Sequence, residues 1–135
     1  MKRTDLARKL LVAAGLLMGV VVVGCGRGDV ELGEVTGTVS LDGKPLPRAA
    51  VVFVPVKPGR SAIGGTDENG VYSMTYTPTA TGVLVGECSV EIRTGSPDNP
   101  KEYPEKVPSK YNTKSELKAE VKPGRNVLDF QLNSK

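Results

Sequence analysis

The sequence predicts an all-β chain: an antiparallel, Ig-like β-sandwich of about seven strands, preceded by an N-terminal signal segment. Three observations carry this prediction. Short runs alternate apolar and polar residues with the period of a half-buried strand. Turn signals such as Asp42-Gly43 and Pro123-Gly124 separate the runs. No stretch of useful length repeats its apolar residues with the 3.6-residue period of an amphipathic helix.

Taken in order, Glu34 to Leu41 sets Val35, Gly37, Val39 and Leu41 on one face against Thr36, Thr38 and Ser40 on the other. Asp42-Gly43 and Lys44-Pro45 reverse the chain. The run AAVVFVPV from Ala49 is apolar on both faces, as a strand central to its sheet would be, and Pro55 and Pro58-Gly59 close it. A weaker strand near residues 61–66 leads into Asp67-Glu68-Asn69-Gly70, a tight turn in which Asn69 and Gly70 suit positive φ. VYSMTYT follows. LVGECSVEIR places Cys88, Val90 and Ile92 in phase, so Cys88 reads as a buried thiol packing as a small hydrophobe. Leu117, Ala119 and Val121 then alternate with Lys118, Glu120 and Lys122, and Leu128, Phe130 and Leu132 with Val127, Asp129 and Gln131.

Residues 94–114 break the pattern. They are polar and interrupted by Pro97, Pro100, Pro104 and Pro108. A loop of roughly 20 residues inside a compact domain is uncommon and often functional. Tyr103, Lys110, Tyr111 and Asn112 are therefore the candidate interaction residues of this loop. The competing reading is a proline-stiffened crossover whose tyrosine rings pack on the domain edge.

The N-terminus has a different composition. Lys2, Arg3, Arg8 and Lys9 precede fourteen uncharged residues, Leu10 to Val23. A basic segment followed by an apolar core of roughly 7–15 residues is the make-up of a secretory signal. A membrane-spanning helix needs about 20 apolar residues, and this run is shorter and carries Gly15 and Gly19. Four of the chain's 18 basic and one of its 15 acidic residues fall within the first 24, so the remainder carries 14 of each and no net charge. Without a clustered basic surface, nucleic-acid binding is not expected.

Val22-Val23-Gly24-Cys25 resembles the bacterial lipobox, with Val22 where Leu is commoner. The resemblance implies cleavage between Gly24 and Cys25, a diacylglyceryl group on the Cys25 thiol and acylation of the new amino group, with no other cofactor. More than one buried acyl chain anchors a protein stably, at about 0.8 kcal/mol per methylene. The expected organisation is a signal peptide over 1–24, a lipidated Cys25 with a short tether over 25–33, and a sandwich over 34–133. The expected location is the cell envelope, with membrane lipid as the first partner. Gly26 to Gly33 would reach roughly 26–29 Å when extended, and the Arg27-Gly28-Asp29 triplet within it reads as spacer.

GTVSLDGKPLPRAAVVFV, TDENGVY, GECSVEI and VKPGRNVLDFQL, in that order, resemble carboxypeptidase-regulatory-like domains, which are transthyretin-like β-sandwiches. KVPSKYNTKSELKAEVKPG is similar to a version found in small bacterial envelope lipoproteins. The resemblance spans nearly all of Glu34 to Leu132 and implies a non-catalytic accessory or binding module. Cys88 departs from the pattern, standing where the family usually has Tyr, so another group must fill that space.

Function classes can be weighed directly. The chain has no histidine, which excludes Ser-His-Asp and Cys-His catalysis, His-based zinc sites and the histidine-dependent hydrolases of the transthyretin-like group. Ser115 and Lys118 match S-x-x-K, but in a strand those two positions point to opposite faces. Asp67-Glu68-Asn69 resembles half an EF-hand loop without its downstream bidentate Glu, and no metal is expected. The first strand has no Lys for an internal isopeptide bond. The expectation is a non-enzymatic, lipid-anchored module that contacts an envelope protein or a glycan. A dedicated carbohydrate-binding domain is the alternative, weakened by the absence of Trp.

Overall fold

The structure is a computed structural model, and it describes residues 30–135. The signal segment, the lipobox and Cys25 lie outside the described residues. The described chain is all-β: two sheets packed face to face, built from twelve short strands and one turn of 3-10 helix, Ser109–Tyr111.

The first sheet is organised around β1 (Leu32–Leu41). Along one edge of β1 lie β8 (Val83–Leu84), β5 (Val71–Ser73) and β2 (Lys44–Pro45), all antiparallel. Along the other edge lie β11 (Gly124–Val127) and β12 (Phe130–Leu132), both parallel to it. The second sheet runs β10 (Lys118–Val121), β9 (Gly86–Arg93), β3 (Ala50–Pro55), β4 (Ala62–Gly65), β6 (Thr75–Thr77) and β7 (Ala80–Thr81). β3 is central, as its two-sided apolar pattern requires, with Val51 and Phe53 fully buried and Val52 and Val54 half-buried on the outer face.

The alternation in β1 is fulfilled, with Val35, Gly37 and Val39 buried. The strand starts two residues before the alternation marks it, because Gly33 already pairs with both Gly124 and Val83. The last two residues expected in the tether therefore belong to the sheet. β1 and β2 are joined by the two residues Asp42 and Gly43 at φ 52° and 81°, the doubly left-handed geometry that matches strand twist in a tight hairpin. In the Asp67–Gly70 turn, Asp67 Oδ1 accepts the N–H groups of Asn69 and Val71 at 2.8 and 3.0 Å, and only Gly70 takes a positive φ.

Two strands expected as single runs change sheets partway. VYSMTYT pairs with β1 up to Ser73 and with β4 from Thr75. The switch falls at Met74, which is buried and whose N–H bonds Val35 O at 3.1 Å. LVGECSVEIR likewise leaves the first sheet at Leu84 and enters the second at Gly86, whose φ of 133° only glycine adopts readily. Such corners let a sandwich share strands between its two layers. The parallel pairing of the C-terminal strands with β1 also departs from a wholly antiparallel sandwich.

The core lies between the sheets, centred on Phe53, Tyr72, Val90, Ile92 and Leu132. Phe130 packs edge-on to Phe53 and tilted against Tyr72, each at 6.2 Å between ring centres. The Tyr72 hydroxyl donates to Leu128 O at 2.6 Å, and burial raises its pKa. Cys88 is fully buried and its thiol is pushed up by burial and then by Glu87, as befits a packing residue.

β1 spans the molecule, and its ten residues separate two poles by about 30 Å. The described chain begins at the near pole, beside the loop 56–61 and the turn 122–124. The far pole gathers the segments 42–49, 66–70 and 94–117.

Candidate functional site

A concave cleft opens at the far pole between Leu46-Pro47-Arg48, Glu68 and the segment from Thr94 to Lys106, with Tyr103 and Pro104 on its wall. Each wall has a definable support.

The first wall is pinned by Thr66, a buried polar residue. Its hydroxyl accepts from Ala49 N–H at 2.8 Å and donates to Leu46 O at 2.7 Å, while its own N–H reaches Ala49 O at 2.9 Å. Leu46 is buried and Arg48 between these anchors is exposed. Arg48 holds φ at 55°, a left-handed conformation that costs a non-glycine residue about 1 kcal/mol. Strain of this kind gathers at ligand-binding sites.

The opposite wall is clamped by Glu105. Its Oε1 accepts the N–H groups of Thr94 and Val107, each at 2.9 Å, and its Oε2 accepts Gly95 N–H at 3.1 Å. The Thr94 hydroxyl accepts Lys106 N–H at 2.8 Å and lies 3.1 Å from Glu105 Oε1. Burial raises the Glu105 pKa, but these donors together outweigh it and hold the carboxyl below the usual glutamate range. Ser96 N–H to Tyr103 O and Tyr103 N–H to Asn99 O close the tip.

The four candidate loop residues separate. Tyr103 is 41% exposed and faces the cleft. Asn112 is buried at 6% exposure. Its amide nitrogen reaches the carbonyls of Ile92, Val107 and Pro108 at 3.2–3.3 Å, and its oxygen accepts Thr113 N–H at 2.8 Å. Asn112 thus locks the crossover, with its side chain turned inward. Tyr111 is half-buried against the core and its hydroxyl accepts Asn133 N–H at 3.1 Å. Lys110 sits over the Tyr111 ring at 5.1 Å and donates to Lys135 O at 3.0 Å. These two tie the loop to the C-terminus. Thus 107–114 is structural crossover, and the cleft belongs to 94–106. Sequence reading missed Arg48, Glu68, Thr94 and Glu105. The one usable signal was "GKPLPRAA", a proline-bracketed apolar residue followed by Arg.

Charges in the cleft are mixed: Arg48 and Lys106 against Glu68 and Glu102. Among the described residues no group of three or more acidic, Cys or His side chains is arranged to hold a metal ion. The Ser115 hydroxyl of the S-x-x-K match donates to Val90 O, and Lys118 is exposed on β10. No described helix is long and apolar enough to cross a membrane.

The fold and site define a two-sheet β-sandwich with a clamped, mixed-charge cleft at one end. Protein-family models, curated proteins and solved structures give no match to this chain.

Proposed function

We propose that the chain is a lipid-anchored, non-catalytic module of a bacterial cell envelope, held through Cys25, that presents its far-pole cleft to a protein partner. One observation carries the reading. The cleft is built by two independently pinned walls at the pole opposite the end from which the chain leads to Cys25. A strained Arg48 and an exposed Tyr103 meet there, the residue types enriched where interfaces concentrate their binding energy. Cations and carboxylates side by side suit a folded protein surface better than a uniformly charged polymer.

The test is a photo-crosslinker at the cleft, Tyr103→benzoylphenylalanine, in cells that make the full-length chain. A discrete adduct that disappears when Arg48→Ala is added supports the reading. No adduct, or one indifferent to Arg48→Ala, contradicts it. Binding of the purified protein to a glycan array, abolished by Tyr103→Ala, would instead favour a carbohydrate ligand, for which Tyr103 would be the stacking surface.

A further inference from the structure

The near pole has its own surface chemistry. Two segments there, the loop from Val56 to Ser61 and the turn 122–124 with the first residues of β11, carry Lys57, Arg60, Lys122 and Arg125 and no carboxylate. The loop 56–61 lies beside the start of β1, since a side chain at Gly59 would strike Leu84, the partner of Leu32. The turn lies there too, because Lys122 O sits over Gly33. Val56, directly after β3 and hydrogen-bonded through its N–H to Glu87 O at 3.0 Å, is 65% exposed, and Val30 is 52% exposed at the first described position. The nearby carboxylates Glu31, Glu34, Glu87 and Glu120 stand outside these segments, and Glu34 is engaged by Arg125 at 3.6 Å. Lys57 also lines a shallow concavity with Glu87, Lys118 and Glu120, so signs mix around both poles and only the two segments themselves are purely cationic.

Chain length decides what this face meets. Four residues separate Cys25 from Val30, five Cα-to-Cα steps, so the near pole can stand no further than about 18 Å from an acylated Cys25. That is less than the roughly 30 Å length of β1.

Resting on the lipid-anchor reading above, we infer that the near pole is a membrane-docking face. Lys57, Arg60, Lys122 and Arg125 contact the headgroups of an anionic bilayer, and Val56 enters the interface between them. The occupant is the membrane that holds the acyl chains. A short tether alone would let the domain tumble; four cations and an exposed valine on the tethered pole fix its direction and turn the cleft outward.

The experiment uses the full-length, acylated protein carrying Val56→Cys, labelled with an environment-sensitive fluorophore. Cys88 is buried with a raised pKa and does not compete for the label. The protein is reconstituted into vesicles of phosphatidylcholine alone or mixed with phosphatidylglycerol. On the mixed vesicles the label shifts to the blue and is quenched by spin-labelled lipid. On the neutral ones, and for the same label at Tyr103→Cys on either, it reports water. Adding Lys57→Ala and Lys122→Ala lowers the docked-to-undocked ratio about fivefold for each cation removed. Vesicle flotation with an aqueous Val56 label on the mixed vesicles overturns the docking face and leaves the anchor standing. Failure to float removes the anchor and the docking face with it. A blue-shifted label that lipid does not quench means that a second copy of the chain covers this face, and overturns the proposal equally.

Discussion

The two poles of the sandwich use the same two devices in different proportion. At the near pole, backbone packs on backbone, with Asn126 as a polar clamp on Lys122 and Glu34: a Cβ at Gly33 would lie 2.3 Å from Lys122 O, and one at Gly82 2.6 Å from Gly33 O. At the far pole, polar side chains take the place of sheet hydrogen bonds: Thr66, Glu105 and Asn112 together satisfy backbone groups of seven residues from Leu46 to Thr113 in addition to Ile92. Gly33 and Gly82 admit no added volume at the near pole, and Gly70, whose Cβ would lie 2.5 Å from Val39 O, admits none at the far pole. The far pole, closed mainly by polar clamps, is in addition sensitive to protonation and to loss of a single acceptor.

The sharpest way to break this contrast is steric. Gly33→Ala, with backbone oxygen rather than a flexible side chain in its path, is expected to cost about 3 kcal/mol, at the upper end for overpacking. Urea denaturation measures it, and a cost near zero would mean that the near pole is not close-packed. Next in size, Asn112→Leu removes a buried donor shared by three carbonyls. An expected loss of about 2 kcal/mol follows from leaving buried acceptors unpaired.

Glu105→Gln separates the poles by pH. The folded-state pKa of Glu105 is depressed, so its contribution is complete above the unfolded value and is lost as pH falls through the folded one. Around neutral pH the substitution is expected to cost about 1 kcal/mol, a charge-assisted contribution discounted for solvent screening of a mostly accessible carboxylate. Hydrogen exchange of the Thr94, Gly95 and Val107 amides should rise in the wild type on acidification, beyond the intrinsic pH trend, and stay level in the variant. The smallest effect is Arg48→Gly. It relieves a left-handed φ but adds unfolded-state freedom, so stability changes by less than about 1 kcal/mol while the Tyr103 crosslink is lost. Loss of the crosslink with a large loss of stability would mean that Arg48 supports the fold rather than the cleft.

What the sequence made legible follows the same division. Strand interiors could be read because burial of one face imposes a two-residue period, and Val35, Val39, Cys88, Val90 and Ile92 are all buried as that period requires. The Asp42-Gly43 reversal could be read because few residues accept its dihedrals. The sheet changes at Met74 and Gly86 could not, since a strand keeps its alternation while changing partners. The cleft was legible only in part. Tyr103 showed itself as an aromatic in a polar loop, but Glu105 and Asn112 look like ordinary loop residues, and their roles depend on backbone groups brought close only by folding. Thr66 was hidden in the same way, as one more strand threonine until Leu46 and Ala49 are placed beside it.

The whole arrangement of an inward pole and an outward cleft depends on Cys25 carrying lipid. Metabolic labelling with a clickable fatty-acid analogue tests that directly, in cells producing the full chain or its Cys25→Ala variant. Label on the wild-type protein, recovered with the membrane fraction, and neither in the variant is the predicted result. A Cys25→Ala protein that still takes up label and still partitions with membranes would contradict it.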